Sequence, residues 1–240
     1  MRCCSTASLL AKRLPPCAST RGRPCHGFGI EVVRRPTGGR AILHDRELTY
    51  SVALPASVLG YEAGILPSYR RLSLALQAGL QGLGVPAILA PESEAATQAV
   101  VGPVCFDRPS AHEILLRGRK LVGSAQVRRA GALLQHGSIL IEPQMATMVA
   151  CLQLEDDPIA ATRRLEAGVA GLAEVGSFEP ASIARALAQA FAGEFGVTLS
   201  HACLTDAESG AARQLAQSKY RTFAWTQRPL AIGQKTTRTR

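Results

Sequence analysis

The hydrophobic and polar positions of this chain change period twice. Between residues 30 and 54 the apolar residues cluster in short β-branched runs. IEVVRR (30–35), RAILHD (40–45) and LTYSVAL (48–54) read as three strands, joined by PTGG and REL. From residue 67 the period becomes helical: PSYRRLSLALQAGLQGLG places Leu72, Leu76, Leu80 and Leu83 on one stripe. Pro67 and Ser68 mark its start, with Ser68 as the cap, and Gly84 its end. VPAILA (85–90) is a further strand, and residues 91–103 read as a polar loop.

Alternation returns in HEILLRG (112–118), RKLVGSAQVRRAG (119–131) and ALLQHGSILIE (132–142), with turns at Gly118 and Gly131. After Pro143 the pattern is helical, with helices expected over 158–175, 179–196 and 206–225. Asp206 is the expected N-cap of the last. Sheet, helix, sheet, then helices predicts an α+β fold: a mixed or antiparallel sheet flanked by helices. No internal repeat is present.

Hydrophobic content of 47% and charged content of 19% over 240 residues support a packed core. The net charge of +9 calls for an acidic partner, whether nucleic acid, an anionic membrane or an acidic protein, and does not choose among them. Aromatics at 5% are thin for the stacking platforms of single-strand nucleic-acid binders. No apolar run approaches the ~20 residues that cross a bilayer. Seven cysteines without a CxxC pair give no support for a zinc site. Residues 1–28 contain no acid, and Arg2, Lys12, Arg13, Arg21 and Arg23 give them a transit-like character; the alternative is an unrelated or misassigned start. Poor order is expected there, and 227–240 form a basic tail.

Four places can carry chemistry. In RRPTGGRA, Gly38 and Gly39 allow close backbone approach, and Arg34, Arg35 and Arg40 add charge for an anion. A tight hairpin with solvated arginines explains the same residues. His44 is either a pocket donor or base or a turn residue, while Asp45 reads as turn chemistry. Cys105, in a Gly- and Pro-rich loop, is either a small buried hydrophobe or a nucleophile. The second role requires a nearby cation or base, for which Lys120 and His44 are candidates. Lys120 precedes the small residues Gly123, Ser124 and Ala125, which could leave a slot for a chain-like substrate. His136 and Gly137 interrupt a strand, where Gly marks a bulge or a close approach.

Taken together, RRPTGGRAILHDRELTYSV, the stretch from CFDRPS through LVGSAQ to LLQHGSIL, and KYRTFAW resemble the lipoate–protein ligase A / octanoyltransferase superfamily. The biotin–protein ligase catalytic domain is a more distant relative. The resemblance runs over residues 29–226. It implies a biotin/lipoate-ligase-like catalytic domain. Arg40, where ATP-dependent ligases usually carry a third glycine, and CFD-x-PS at 105–110 resemble the cysteine-dependent octanoyltransferases.

That branch implies acyl transfer from acyl carrier protein to a lysine of a lipoyl domain, such as the glycine-cleavage H protein or a 2-oxoacid dehydrogenase E2. Cys105 would form the thioester and Lys120 would orient or stabilise the acyl carbonyl. Arg34, Arg35, Gly38, Gly39 and His44 would bind substrate. Gly123, Ser124, Ala125, His136 and Gly137 would wall the acyl tunnel, where each buried methylene contributes about 0.8 kcal/mol. No cofactor is implied; ATP and Mg would enter only for the ligase alternative. No nucleic acid or membrane is expected. A cytoplasmic monomer is expected, with organellar import as the alternative that the N-terminus raises.

Family members normally carry more chain before the Arg-Arg turn. About 30 dissimilar residues precede it here, so a truncated, non-catalytic fragment or binding module is the third reading.

Overall fold

The structure is a computed structural model. It describes residues 2–3, 25, 27–37, 41–59, 64–91, 112–152 and 157–226. Gly38, Gly39, Arg40 and Cys105 lie outside the described residues, as does the 227–240 tail. The chain divides into two compact units. One comprises Met1–Lys12 and Arg35–Cys203, the other Arg13–Arg34 and Leu204–Arg240.

The larger unit is built on a five-stranded antiparallel sheet. Its strands are β2 (Glu47–Pro55), β3 (Ala87–Leu89), β4 (Ile114–Leu116), β5 (Arg119–Arg129) and β6 (Ala132–Leu140), in the order β2-β6-β5-β4-β3. A two-residue β1 (Arg2–Cys3) pairs in parallel with β7 (Ser200–His201). Two tight hairpins set the sheet. Arg117–Gly118 and Ala130–Gly131 both have positive φ at each central residue (51° and 75°, 49° and 73°). This is the turn whose twist matches that of paired strands, and glycine takes its second position without strain.

The register that follows places Tyr50, Gly137 and Ser124 in one row, and Ser51, His136 and Ala125 in the next. Residues directly opposite share a face, so successive rows face opposite sides. One face is covered by α1 (Ile65–Gly82) and α4 (Pro180–Phe195). Leu72, Leu76 and Leu80 from α1 and Ile183, Leu187 and Phe191 from α4 pack there with Leu48, Val122 and Ile139. These side chains recur at helical spacing and each contributes about 1.5–3 kcal/mol on full burial. The other face receives α2 (Met145–Leu152) and α3 (Pro158–Gly168). There Met145, Met148, Val149, Ala161 and Leu165 cluster with Leu140, and Ala41, Ile42 and Leu43 pack against them.

A polar chain threads the first face. Ser124 Oγ lies 2.6 Å from the Tyr50 hydroxyl, and Gln135 Nε2 donates to that hydroxyl at 3.2 Å. Gln126 Nε2 donates to Gln135 Oε1, and Ser68 Oγ donates to Gln126 Oε1. Burial pushes the Tyr50 phenol up to about 12, against the lowering effect of its hydrogen bonds. Tyr50 therefore serves as a neutral hydroxyl here.

Several expectations change. Residues 30–35 form no strand, and among the described residues 41–45 only Ala41 makes a bridge. Val32 and Val33 are exposed, so alternation there did not signal a buried face. Ser68 is not the cap of α1: Gly64 is, and Ser68 is buried inside the helix, where it serves the polar chain. The helix expected over 158–175 ends at Gly168. Val169 instead bridges Lys120, and the Ala170 N–H donates to the Lys120 carbonyl at 3.0 Å. Thr205, with Glu208 in a reciprocal capping box, caps α5 (Asp206–Leu215) in place of Asp206.

The smaller unit holds α5, a π-helical turn over Ala216–Tyr220 and α6 (Phe223–Thr226). Lys219 lies over both the Trp225 and Tyr220 rings, at 4.5 and 5.1 Å. Trp225 Nε1 donates to the Arg34 carbonyl at 3.0 Å.

Gly137 sits in regular register, without the bulge considered for it. A Cβ there would lie 2.2 Å from the Gly123 carbonyl oxygen and 2.8 Å from the Tyr50 ring. Gly137→Ala should therefore lower stability by about 1–3 kcal/mol, as overpacking in a close-packed interior does. Urea unfolding of the two proteins measures this directly.

Candidate active site

Lys120 begins as a sequence oddity: a lysine in a strand that runs into Leu121 and Val122. The register of β4 against β5 shifts here, from Val122 opposite Ile114 to Lys120 opposite Leu115. A bulge re-aims side chains that strict alternation would expose, and Lys120, Leu121 and Val122 are all buried. The Lys120 side chain is 1% exposed, and its Nζ donates to Glu113 Oε1 at 2.5 Å. Glu113, 6% exposed, joins Lys120 in the candidate site, and sequence reasoning missed it. Its one signal was a carboxylate opening an otherwise wholly apolar strand.

The pair stands where a long connection closes. His112 N–H donates to the Ala90 carbonyl, and Ala90 N–H to the Glu113 carbonyl. Residues 92–111, which include Cys105, join those two points in the chain.

A second group of polar side chains occupies the sheet face that carries α2 and α3. Thr37 Oγ1 lies 2.8 Å from His136 Nε2. Burial depresses the His136 imidazole to about 4, and the neighbouring Arg35 and His44 add to the effect. At neutral pH it is an uncharged donor and acceptor. His44 Nδ1 lies 2.7 Å from Glu47 Oε1 and 3.3 Å from Ser138 Oγ. Thr49 Oγ1 donates to the same Glu47 oxygen at 2.8 Å. Gly123 and Ala125, opposite Ser138 and His136 on β5, keep side-chain volume low along this face.

The residues singled out from sequence thus separate into groups. Arg35, His44, Gly123, Ala125 and His136 share one region. Ser124 and Gly137 face the opposite side, beneath α1, where the Tyr50 ring covers the glycine. They pack the sheet there, and this corrects their expected place in the same wall as His136. Arg34 belongs to the smaller unit, with its carbonyl on Trp225.

The model of the lipoyl protein ligase A/B catalytic domain matches residues 19–192. The chain belongs to that family. An octanoyltransferase LipM from Kyrpidia tusciae is 40% identical over 210 residues, covering 84% of this chain and 75% of the relative. One from Moorella thermoacetica is 39% identical, covering 83% and 74%. Among solved structures, a putative lipoate protein ligase from T. acidophilum with bound lipoic acid matches with a TM-score of 0.67 at 24% identity, covering 85% of this chain and 75% of the other. A lipoate protein ligase from Thermoplasma acidophilum studied with its E2 lipoyl domain gives 0.70 at 23%, covering 85% and 73%. The five-stranded antiparallel sheet with flanking helices is the family's biotin/lipoate-ligase-like α+β fold.

Two outcomes follow from the electrostatics. Removing one member of a buried ion pair strands the other in a low-dielectric interior, which costs about 3–5 kcal/mol. Lys120→Met should show that loss in urea unfolding, and Lys120→Met combined with Glu113→Leu should recover much of it. The His136 imidazole has a folded pKa near 4, below the ordinary 6.5 of an unfolded chain. Between those values the unfolded state binds more protons, so stability rises with pH. The contribution is complete above about pH 6.5 and is lost as pH falls through about 4. Unfolding midpoints across that window should flatten in His136→Gln.

Proposed function

We infer that the protein is an octanoyltransferase of protein lipoylation, which moves an octanoyl group from acyl carrier protein to a lysine of a lipoyl domain through a thioester on Cys105. The carrying observation is the buried Lys120–Glu113 pair, whose Glu113 carbonyl accepts from Ala90 N–H where the segment that includes Cys105 rejoins the sheet. The octanoyltransferase relatives at 33–44% identity support the same reading.

A thiolate, not a thiol, is the attacking species, and a cation beside it favours the charged form. Lys120 supplies that cation from strand β5, and Glu113 fixes its position. In the first step the Cys105 sulfur attacks the donor's thioester carbonyl and the pantetheine thiolate leaves. Lys120 donates a hydrogen bond to the oxygen as it gains negative charge. Exchange of one thioester for another is nearly isoenergetic. In the second step the lysine amine attacks, and an amide replaces the thioester downhill, so neither ATP nor a metal is needed.

The Gly38–Gly39 turn and Arg35 bind the pantetheine end, and the low-volume face at Gly123 and Ala125 receives the acyl chain. The net charge of +9 draws in acidic carrier and lipoyl domains and raises association rates.

Incubation with octanoyl-acyl carrier protein, without ATP, should yield an octanoyl adduct on Cys105 by mass spectrometry. Cys105→Ser should lower transfer to a lipoyl domain by at least about 10³-fold, the scale on which loss of a nucleophile acts. No adduct in the wild type, with full activity in Cys105→Ser, rules the reading out. Product formed only from free acid with ATP assigns the chain to ligase chemistry instead.

A further inference from the structure

Acyl transfer to lysine has a requirement that a cysteine and a buried Lys–Glu pair leave unmet. A lysine side chain arrives as an ammonium, with an ordinary pKa of about 10.4, and an ammonium has no lone pair with which to attack. Something must take a proton before the C–N bond can form.

Of the described groups, His44 has the chemistry and the setting. A carboxylate offers only acceptors. The 2.7 Å contact to Glu47 Oε1 therefore requires the proton on His44 Nδ1. That leaves the lone pair of the neutral ring on Nε2, the arrangement by which a carboxylate holds a histidine in its base tautomer. The two partners differ in exposure as such a device needs. The His44 side chain is 43% exposed and can be reached by an incoming chain, whereas the Glu47 side chain is 4% exposed.

The Glu47 carboxylate also stands in an unusual setting. Its Oε1 receives Nδ1–H of His44 and the Thr49 hydroxyl, while its buried Oε2 accepts no hydrogen bond among the described residues. A buried carboxylate short of donors calls for explanation, and an imidazolium beside it would be a strong compensating partner.

Placement agrees. The His44 ring reaches Ser138 Oγ on β6, and Ser138 pairs with Gly123 on β5. Lys120 lies three residues from Gly123 on the same strand, a span of about 10 Å.

We propose that His44 is the proton acceptor for the attacking lysine and that Glu47 is its positioning residue. The proposal rests on the acyl-transfer reading above. His44 Nε2 takes one proton from the ammonium. The freed amine nitrogen bonds to the thioester carbon, and the C–S bond breaks with its electron pair on the Cys105 sulfur. The second proton leaves the nitrogen with that sulfur, which restores the thiol. The amide keeps one N–H, and the His44 imidazolium releases its proton to solvent. Charged and titratable groups around the ring are Asp45 and Arg46 in its own segment, Glu142 paired with Arg46, Glu47 on β2, and His136 on β6 with Arg35 beside it.

The two half-reactions separate the ideas. The full chain is acylated with octanoyl-acyl carrier protein, freed of donor and mixed with a lipoyl domain from about pH 6 to about pH 10, a range that approaches the lysine's own pKa. At neutral pH, His44→Gln should slow transfer about 100-fold more than it slows acylation, the usual scale of general-base assistance. The deficit should shrink as pH rises and the lysine loses its proton unaided. Glu47→Gln should give a smaller loss with the same pH form. Equal losses in both half-reactions, or a deficit independent of pH, overturn the proposal while leaving the acyl-enzyme intact. A wild type that forms no octanoyl adduct overturns the acyl-transfer reading, and this inference with it.

Discussion

The register of β5 against β6 is the constraint on which the rest of the molecule depends. It is set by the two-residue Ala130–Gly131 turn, in which both central residues take positive φ, leaving no slack for a slip. A shift of one residue would exchange the faces of every side chain on the strand. His136 and Ala125 would then turn under α1, and Ser124 and Gly137 would turn toward α2 and α3. In the actual register Gly137 lies beneath the Tyr50 ring and against the Gly123 carbonyl. The absence of one Cβ lets three strands approach closely and completes the polar chain from Ser124 to Ser68. One face is thereby packed beneath α1, and the opposite face presents the small and polar groups Gly123, Ala125, His136 and Ser138.

Much of this architecture was legible in the order of residues. The hairpins announced themselves through glycines at the strand junctions, and α1 through leucines four apart. What failed shared one cause: local pattern carries no information about the partner. IEVVRR has the apolar residues of a strand, yet no strand pairs with it among the described residues, and Val33 stays exposed. The stretch from 158 continues a helical pattern past Gly168, but the Lys120 carbonyl claims the Ala170 N–H. Ser68 and Asp206 had the chemistry of caps, and competing contacts placed each elsewhere.

The candidate site was legible in a different sense. Its residue types were visible because Gly-Gly, His-Asp, Cys and Lys stand out among apolar runs, and the family resemblance gave them roles. Their grouping was not visible. His136, Gly137 and Ser138 are adjacent in sequence, yet alternation sends the middle one to the opposite side. Glu113 and Glu47, the carboxylates that hold Lys120 and His44, passed unnoticed because an acid at a strand's edge reads as solvated.

Those two carboxylates give the site a common logic. Each carboxylate side chain is buried and each holds a nitrogen, Glu113 the Nζ of Lys120 and Glu47 the Nδ1 of His44. Burial of the Lys120–Glu113 pair is no gift to stability, since well-packed apolar residues of similar volume often do as well or better. A pair retained in that position is better understood through what it presents to the chain that closes at Ala90 and His112. In acyl transfer the charge moves from sulfur to oxygen and back within a few ångströms. A cation fixed before the reaction stabilises that charge without reorganising as it develops. The strand bulge at Lys120 and the hydrogen bonds that join Ala90 to His112 and Glu113 are thus parts of one rigid arrangement, on which the proposed role of Lys120 rests.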